Sequence, residues 1–355
     1  MLSEGSNVKD YPLILGHLSD EIIIFGRESG LYILSKASIL LGDATFKITS
    51  KNESQMLILH GIVNKRCYAC LFIVMQHKSE DMYSKVYRMV QHLGHLRGLN
   101  IFDRKVVYKG DFELSNINAI SKLFKKLVFS GCFFHFAYNI MKKVRENSLS
   151  KYYKSNNVFY IFVRRIRSLC LIPKDFINNT TLDVIFSPCE SVFRTEHHTE
   201  YTSFKNYLMK EWLGTNSIHP IKEWNVSNID IRTNNYCESL HRLINDFITS
   251  KVDVVGQIEI IEEIIKKDKK KTNSTPLFCG KKITNYINYI IKFLLKKLRN
   301  NKLDFLTYLD LVADAVQIQN LKEYEDFKST HLMKRNFNNY AKSSILRFQK
   351  NGEYQ

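Results

Sequence analysis

No stretch of this chain approaches the ~20 consecutive apolar residues that a bilayer-spanning helix requires. Its opening, MLSEGSNVKD, is polar and lacks the apolar core of a signal peptide. A soluble, intracellular protein with no membrane partner is therefore expected. Cysteine is sparse: the seven residues are scattered without a framework, which suits a reducing compartment rather than a disulfide scaffold. Cys67 and Cys70, in CYAC, have zinc-ligand spacing. They lie in the strand-like run CYACLFIVM, however, where an offset of three sends side chains to opposite faces. A tetrahedral metal needs convergent ligands, so zinc is not expected there. Internal repeats are missing too, which argues against solenoids and arrays. Acidic residues are in short supply, 35 Asp and Glu against 52 Lys and Arg, for a net charge of +17. Such a surplus attracts polyanions at long range. Nucleic acid is the commonest, although basic surfaces also bind membranes and acidic proteins.

What is present argues for a folded protein of two or three domains: 355 residues, 45% hydrophobic and 12% aromatic. Residues 1–30 form a lead-in with one strand-like piece, EIIIFG, and no Cys/His finger pattern. SILLGDATFKI, QMLILHGIV and CYACLFIVMQ then read as three successive strands. SEDMYSKVYRMVQHLGHL reads as a helix starting at Ser79, with Met82, Val86, Met89, Val90 and Leu93 at helical spacing. KVVYKGD is a strand, ELSNINAISKLF a helix, KLVFSGCFF a strand and HFAYNIMKKVREN a helix. Three consecutive strands can form an antiparallel meander, while the helical crossovers that follow require parallel pairing. An α/β fold is expected, with a mixed five-stranded sheet and helices packed on it. Residues 31–150 would be the first part of this core, 151–226 a helical insertion, 227–250 a core helix and 251–355 a basic helical region. That last region contains the run Lys266, Lys267, Lys269, Lys270 and Lys271. A solvated loop, a nuclear import signal and a DNA contact are all open to such a run.

Three carboxylates stand at informative places. Asp43 and Asp111 fall on strands that a parallel crossover can set side by side. Two such carboxylates repel unless a cation sits between them. Locally, Asp43 reads equally as a polar residue on a half-exposed strand, and Asp111 reads better as the N-cap of its helix. Glu238 falls opposite the apolar stripe of RTNNYCESLHRLINDFITS, on a face that is solvated or lines a cleft. Cys132 and His135, in GCFFHF, read as a core cysteine and a boundary histidine, or as a pair facing one site.

In order, GDATFKI with Asp43, KGDFELSNINAI with Asp111, GCFFHFAYNI with Cys132 and His135, and RTNNYCESLHRLIN with Glu238 resemble a known domain. It is the transposase domain of Mutator-like elements (MULE), a branch of the DDE transposases with a ribonuclease-H-like fold. EIIIFGRESGLYILSKA, EWLG and IKEWNV add to the resemblance, which covers roughly residues 20–250. The resemblance implies that Asp43, Asp111 and Glu238 are a catalytic triad holding Mg²⁺ or Mn²⁺. It gives Cys132 and His135 a supporting role. The implied activity is DNA cleavage at terminal inverted repeats and strand transfer into target DNA. The implied setting is the nucleus, with DNA and a second copy of the chain as partners. Relatives often begin with a zinc-finger DNA reader, and none is legible here, so a copy lacking that finger is expected. The alternative is a domesticated, non-catalytic DNA-binding or regulatory protein.

Overall fold

Seven strands make one sheet: β1 (Leu13–Leu18), β2 (Ile22–Gly26), β3 (Ile39–Thr45), β4 (Gln55–Val63), β5 (Arg66–Met75), β6 (Val106–Gly110) and β7 (Leu127–Gly131). In space they run β1-β2-β5-β4-β3-β6-β7. The computed structural model describes residues 13–18, 21–45, 55–64, 66–194, 197–233, 282–317, 319 and 321–332, with Leu240 and Ile261 as single residues. Strands β3, β4 and β5 form the expected antiparallel meander, and β6 pairs with β3 in parallel. The expectation of five strands is corrected to seven. The extra pair is an antiparallel hairpin, β1 on β2, with β2 joined to the edge of β5. β1 escapes a reading by alternation because LILGHL is an edge strand that leaves Ile14 and Leu18 exposed.

The sheet and its helices belong to the first of two compact units, residues 1–130 with 233–279. Three helices pack on one face: α1 (Glu28–Lys36), α2 (Glu80–His95) and α3 (Leu114–Leu123). The start of α2 is set by Ser79, whose hydroxyl accepts from the Met82 amide (3.2 Å), with Glu80 and Asp81 against the positive helix end. Its apolar stripe, Met82, Tyr83, Val86, Tyr87, Val90 and Leu93, buries against Leu57, Leu59, Leu71 and Ile73 of the sheet. Helix α1 lies so close to β5 that a Cβ on Gly30 would stand 2.5 Å from the Cys70 carbonyl oxygen. Alternating residues Phe25, Met56, Ile58 and Phe72 face the other way. There they form a second core with Ile261, and Leu240 packs against it.

The second unit, residues 131–232 with 280–355, contains only helices among its described elements apart from Gly131, the last residue of β7. It begins with α4 (Phe133–Glu146), α5 (Ser150–Ser155), α6 (Asn157–Ser168), α7 (Asn179–Val192), α8 (His198–Leu208) and α9 (Ile221–Trp224). After the interval come α10 (Lys282–Arg299), α11 (Phe305–Ala315) and α12 (Leu321–Phe327). Both tryptophans serve α4: Phe136 stacks on Trp224 (5.0 Å between centroids) and meets Trp212 edge-on (5.1 Å). Arg165 of α6 clasps Asp310 of α11 with two hydrogen bonds (2.8 and 2.7 Å), and neighbouring Arg164 pairs with Asp314. Bidentate, part-buried pairs like these fix the approach of two helices more firmly than exposed ion pairs do.

Candidate active site

Asp43 sits inside β3, directly across from Ile58 of β4. Residues opposite one another in an antiparallel pair share a face, so Asp43 belongs to the second face, with Phe72 and Leu240. On the parallel side, Ile39, Leu40 and Leu41 pair with Val107, Tyr108 and Lys109. Carried two residues further, that register would bring Asp43 level with Asp111, one residue past the end of β6, at the ~4.8 Å spacing of neighbouring strands. The glycines just before the two aspartates show that the strands are still adjacent there: a Cβ on Gly110 would lie 3.4 Å from the Gly42 carbonyl oxygen. Both carboxylates are half-buried.

Gly42 has its own reason to be glycine. A Cβ there would come within 1.7 Å of the Tyr108 hydroxyl, whose ring lies across the neighbouring strand on the first face. Tyr108 is buried, and its hydroxyl meets that of Tyr87 (2.8 Å), which in turn donates to Asn116 Oδ1 (2.6 Å). The G-D pairs on β3 and β6 thus combine a close backbone approach with a carboxylate on the opposite face.

The capping reading of Asp111 is overturned. Helix α3 begins after Glu113, which is its N-cap residue and makes no side-chain cap bond. Asp111 stands one residue past β6, and no described residue hydrogen-bonds or ion-pairs with it. Two neighbours went unnoticed in the sequence. Lys109, fully buried, alternates with Tyr108 and so shares the second face with Asp43, where its ammonium donates to Ser130 Oγ (2.9 Å). A lysine inside the apolar run VVYKG was the available signal. The other is Glu113, ion-paired with Lys78 at 3.5 Å. Burial raises its carboxyl above the ordinary range, Lys78 opposes that shift, and the charge of Asp111 adds to it. A raised carboxyl pKa costs stability as pH climbs from the ordinary carboxylate value through the raised one, and spares it below both. Glu113→Gln should therefore melt higher than wild type at neutral pH. Thermal melts in a pH series should show the gap closing as pH falls below the ordinary carboxylate range.

Cys132 and His135 lie in the second unit. Cys132 is the N-cap residue of α4, fully buried, with no side-chain cap bond. The first amide of that helix, at Phe133, donates instead to the Arg232 carbonyl (2.9 Å). His135 is half-buried, and its Nδ1 is shielded without a partner among the described residues. Glu238 and the lysine run Lys266 to Lys271 lie outside the described residues, although Leu240, two positions after Glu238, is helical and packed on the Asp43 face.

The donor set at Asp43 and Asp111 is hard carboxylate oxygen, which fits Mg²⁺ or Mn²⁺ and does not fit a thiolate-seeking metal. Among the described residues no group of three or more His, Cys, Asp or Glu could hold a metal ion. No described helix is long and apolar enough to cross a membrane. Neither a family model nor any curated protein matches the chain.

Proposed function

We propose that this chain is a DDE-type transposase of the Mutator-like branch, with a ribonuclease-H-like core, that cleaves DNA at inverted repeats and joins the ends to target DNA. One observation carries the reading: β3 pairs in parallel with β6 up to Leu41 and Lys109, a register that would bring Asp43 level with Asp111 if it ran two residues further. The face concerned is the one on which Leu240 packs. The order of elements, a three-strand meander followed by two strands reached through helices, supports the ribonuclease-H-like part of it.

Asp43, Asp111 and Glu238 would hold Mg²⁺ or Mn²⁺, which when bound lowers the barrier to phosphodiester attack by activating the entering oxygen and stabilising the leaving one. The remaining work falls to the protein's own groups. Gly42 and Gly110 let the two strands run close enough to hold the carboxylates in register. Lys109 supplies a buried positive charge on the same face, moderating the repulsion between Asp43 and Asp111. Cys132 and His135 would support the site or the DNA. The charge of +17 draws in the polyanionic substrate, and the lysine run from Lys266 adds to it. The nucleus is the matching compartment, and synapsis of two DNA ends would engage a second copy of the chain.

The test is divalent-metal-dependent nicking and joining of the element's own end sequences, comparing wild type with Asp111→Asn. Salt-sensitive DNA binding that survives replacement of the carboxylates, with no nicking even in Mn²⁺, would instead establish the domesticated, non-catalytic reading.

A further inference from the structure

Among the described residues only four phenylalanine, tyrosine or tryptophan side chains are exposed: Tyr32, Phe134, Tyr138 and Tyr289. Single exposed rings are ordinary on a protein surface. Three of these four, however, lie on α4 and α10 of the second unit, and each helix repeats one pattern. On α4, Phe134 and Tyr138 are one turn apart, each 47% exposed, and stacked with centroids 6.2 Å apart. The Arg145 guanidinium lies 5.5 Å above the Tyr138 ring. On α10, Tyr289, 57% exposed, stacks on Phe293 one turn later (6.4 Å), and the Lys297 ammonium lies 5.3 Å above the Phe293 ring.

The two patterns are tied to one short segment. The Phe133 amide at the head of α4 donates to the Arg232 carbonyl (2.9 Å). The Arg232 side chain donates to Asn288 of α10 (2.6 Å), the residue before Tyr289. Asn288 returns a bond to the Asp230 carbonyl (3.2 Å). Carboxylates neutralise part of the surrounding charge, since Glu146 pairs with Lys142 and Lys143, and Asp230 with Lys292. Arg145, Lys296 and Arg299 have no carboxylate partner among the described residues.

We infer that α4 and α10 together form a platform for an unpaired stretch of polynucleotide. Bases stack on Phe134, Tyr138 and Tyr289, and Arg145 and the basic C-terminal half of α10 take the phosphates. Every base has a π-face, so stacking of this kind tolerates any sequence. A paired duplex hides its base faces and could use only the cations. A protein partner or an anionic membrane would use the apolar area but has no need of stacked rings capped by cations. The inference stands apart from the carboxylate pair, because it concerns different residues and needs no divalent metal.

Fluorescence anisotropy with labelled short oligonucleotides, in EDTA and at several salt concentrations, tests it. Wild type should bind unpaired DNA or RNA more tightly than duplex, and parallel DNA and RNA arms identify the preferred strand. Phe134→Ala with Tyr138→Ala should weaken binding of the unpaired strand about ten-fold or more, and Tyr289→Ala several-fold, with unchanged melting. Should the double alanine variant fail to fold, Phe134→Leu with Tyr138→Leu keeps the apolar contact and removes the rings, and the same loss is expected. Undiminished binding by the folded variants would overturn the platform, as would a preference for duplex. Binding to phosphatidylserine vesicles that is lost on the same substitutions, without oligonucleotide binding, would overturn it in favour of a membrane surface.

Discussion

On the proposed DDE reading, Asp111→Asn is expected to leave the fold intact and to lower metal-dependent DNA cleavage on the order of 10³-fold, the equivalent of several kcal/mol of charge stabilisation by bound metal. Asparagine is nearly isosteric with aspartate, and no helix cap is lost, since the N-cap position of α3 is Glu113 rather than Asp111. Removing the charge also relieves repulsion from Asp43 and Glu113, so in EDTA the variant should melt at or above the wild-type temperature. Metal binding offers a readout that does not involve DNA. A ligand that binds only the folded state raises its melting temperature by mass action, so Mg²⁺ should stabilise wild type and not Asp43→Asn with Asp111→Asn. Equal stabilisation of both proteins by Mg²⁺ would mean that Asp43 and Asp111 do not hold the ion. The carboxylates would then be two polar residues near a sheet end.

Gly42→Ala should be costly for a reason unconnected with metal. The new methyl group would overlap the Tyr108 hydroxyl, 1.7 Å from the position of its Cβ, in a packed interior. Overpacking of this kind costs ~1–3 kcal/mol. Displacing Tyr108 also breaks its contact with the Tyr87 hydroxyl, leaving buried polar atoms short of a partner at another ~1–3 kcal/mol. Together these come to ~2–6 kcal/mol, or on the order of 10 °C in melting temperature for a unit of this size. Tyr108→Phe in the Gly42→Ala background should return part of that loss by removing the clashing oxygen. Calorimetric scans of the three variants decide it. Gly42→Ala melting with wild type would mean that Tyr108 has a second rotamer open to it at no cost, contrary to its complete burial.

The β3–β6 junction was largely legible in the chain, and the reason is local. Leu41, Asp43 and Thr45 alternate, a helix separates β5 from β6, and a crossover of that length demands parallel pairing. Ser79 announced the start of α2 because an N-cap serine is a strong signal at short range. Asp111 misled for the same reason. Asp followed by a helical pattern looks like a cap, and only the path of the chain through Phe112 and Glu113 moves the cap two residues on. Strands β1 and β2 were not counted in the sheet because β5, the partner of β2, is remote in sequence and β1 leaves Ile14 and Leu18 exposed. Lys109 was hidden by a plain rule, that lysines lie outside, and its burial makes sense only beside Ser130 and on the Asp43 face. The second glycine of the site, Gly110, was equally silent. Its need for space depends on the Gly42 backbone across the sheet.

The first unit is assembled from two stretches of chain, residues 1–130 and 233–279, and this shapes its birth on the ribosome. Phe25, Met56, Ile58 and Phe72 are complete as a sheet face once β5 has emerged, yet Leu240 and Ile261 reach it only much later. At ~5–20 residues per second, that face waits roughly 10–40 s for its cover while the helical unit is being made. During that interval the nascent chain presents an apolar sheet surface to its surroundings. A chain truncated before Ile261 should accordingly aggregate even though every strand of the sheet is already present.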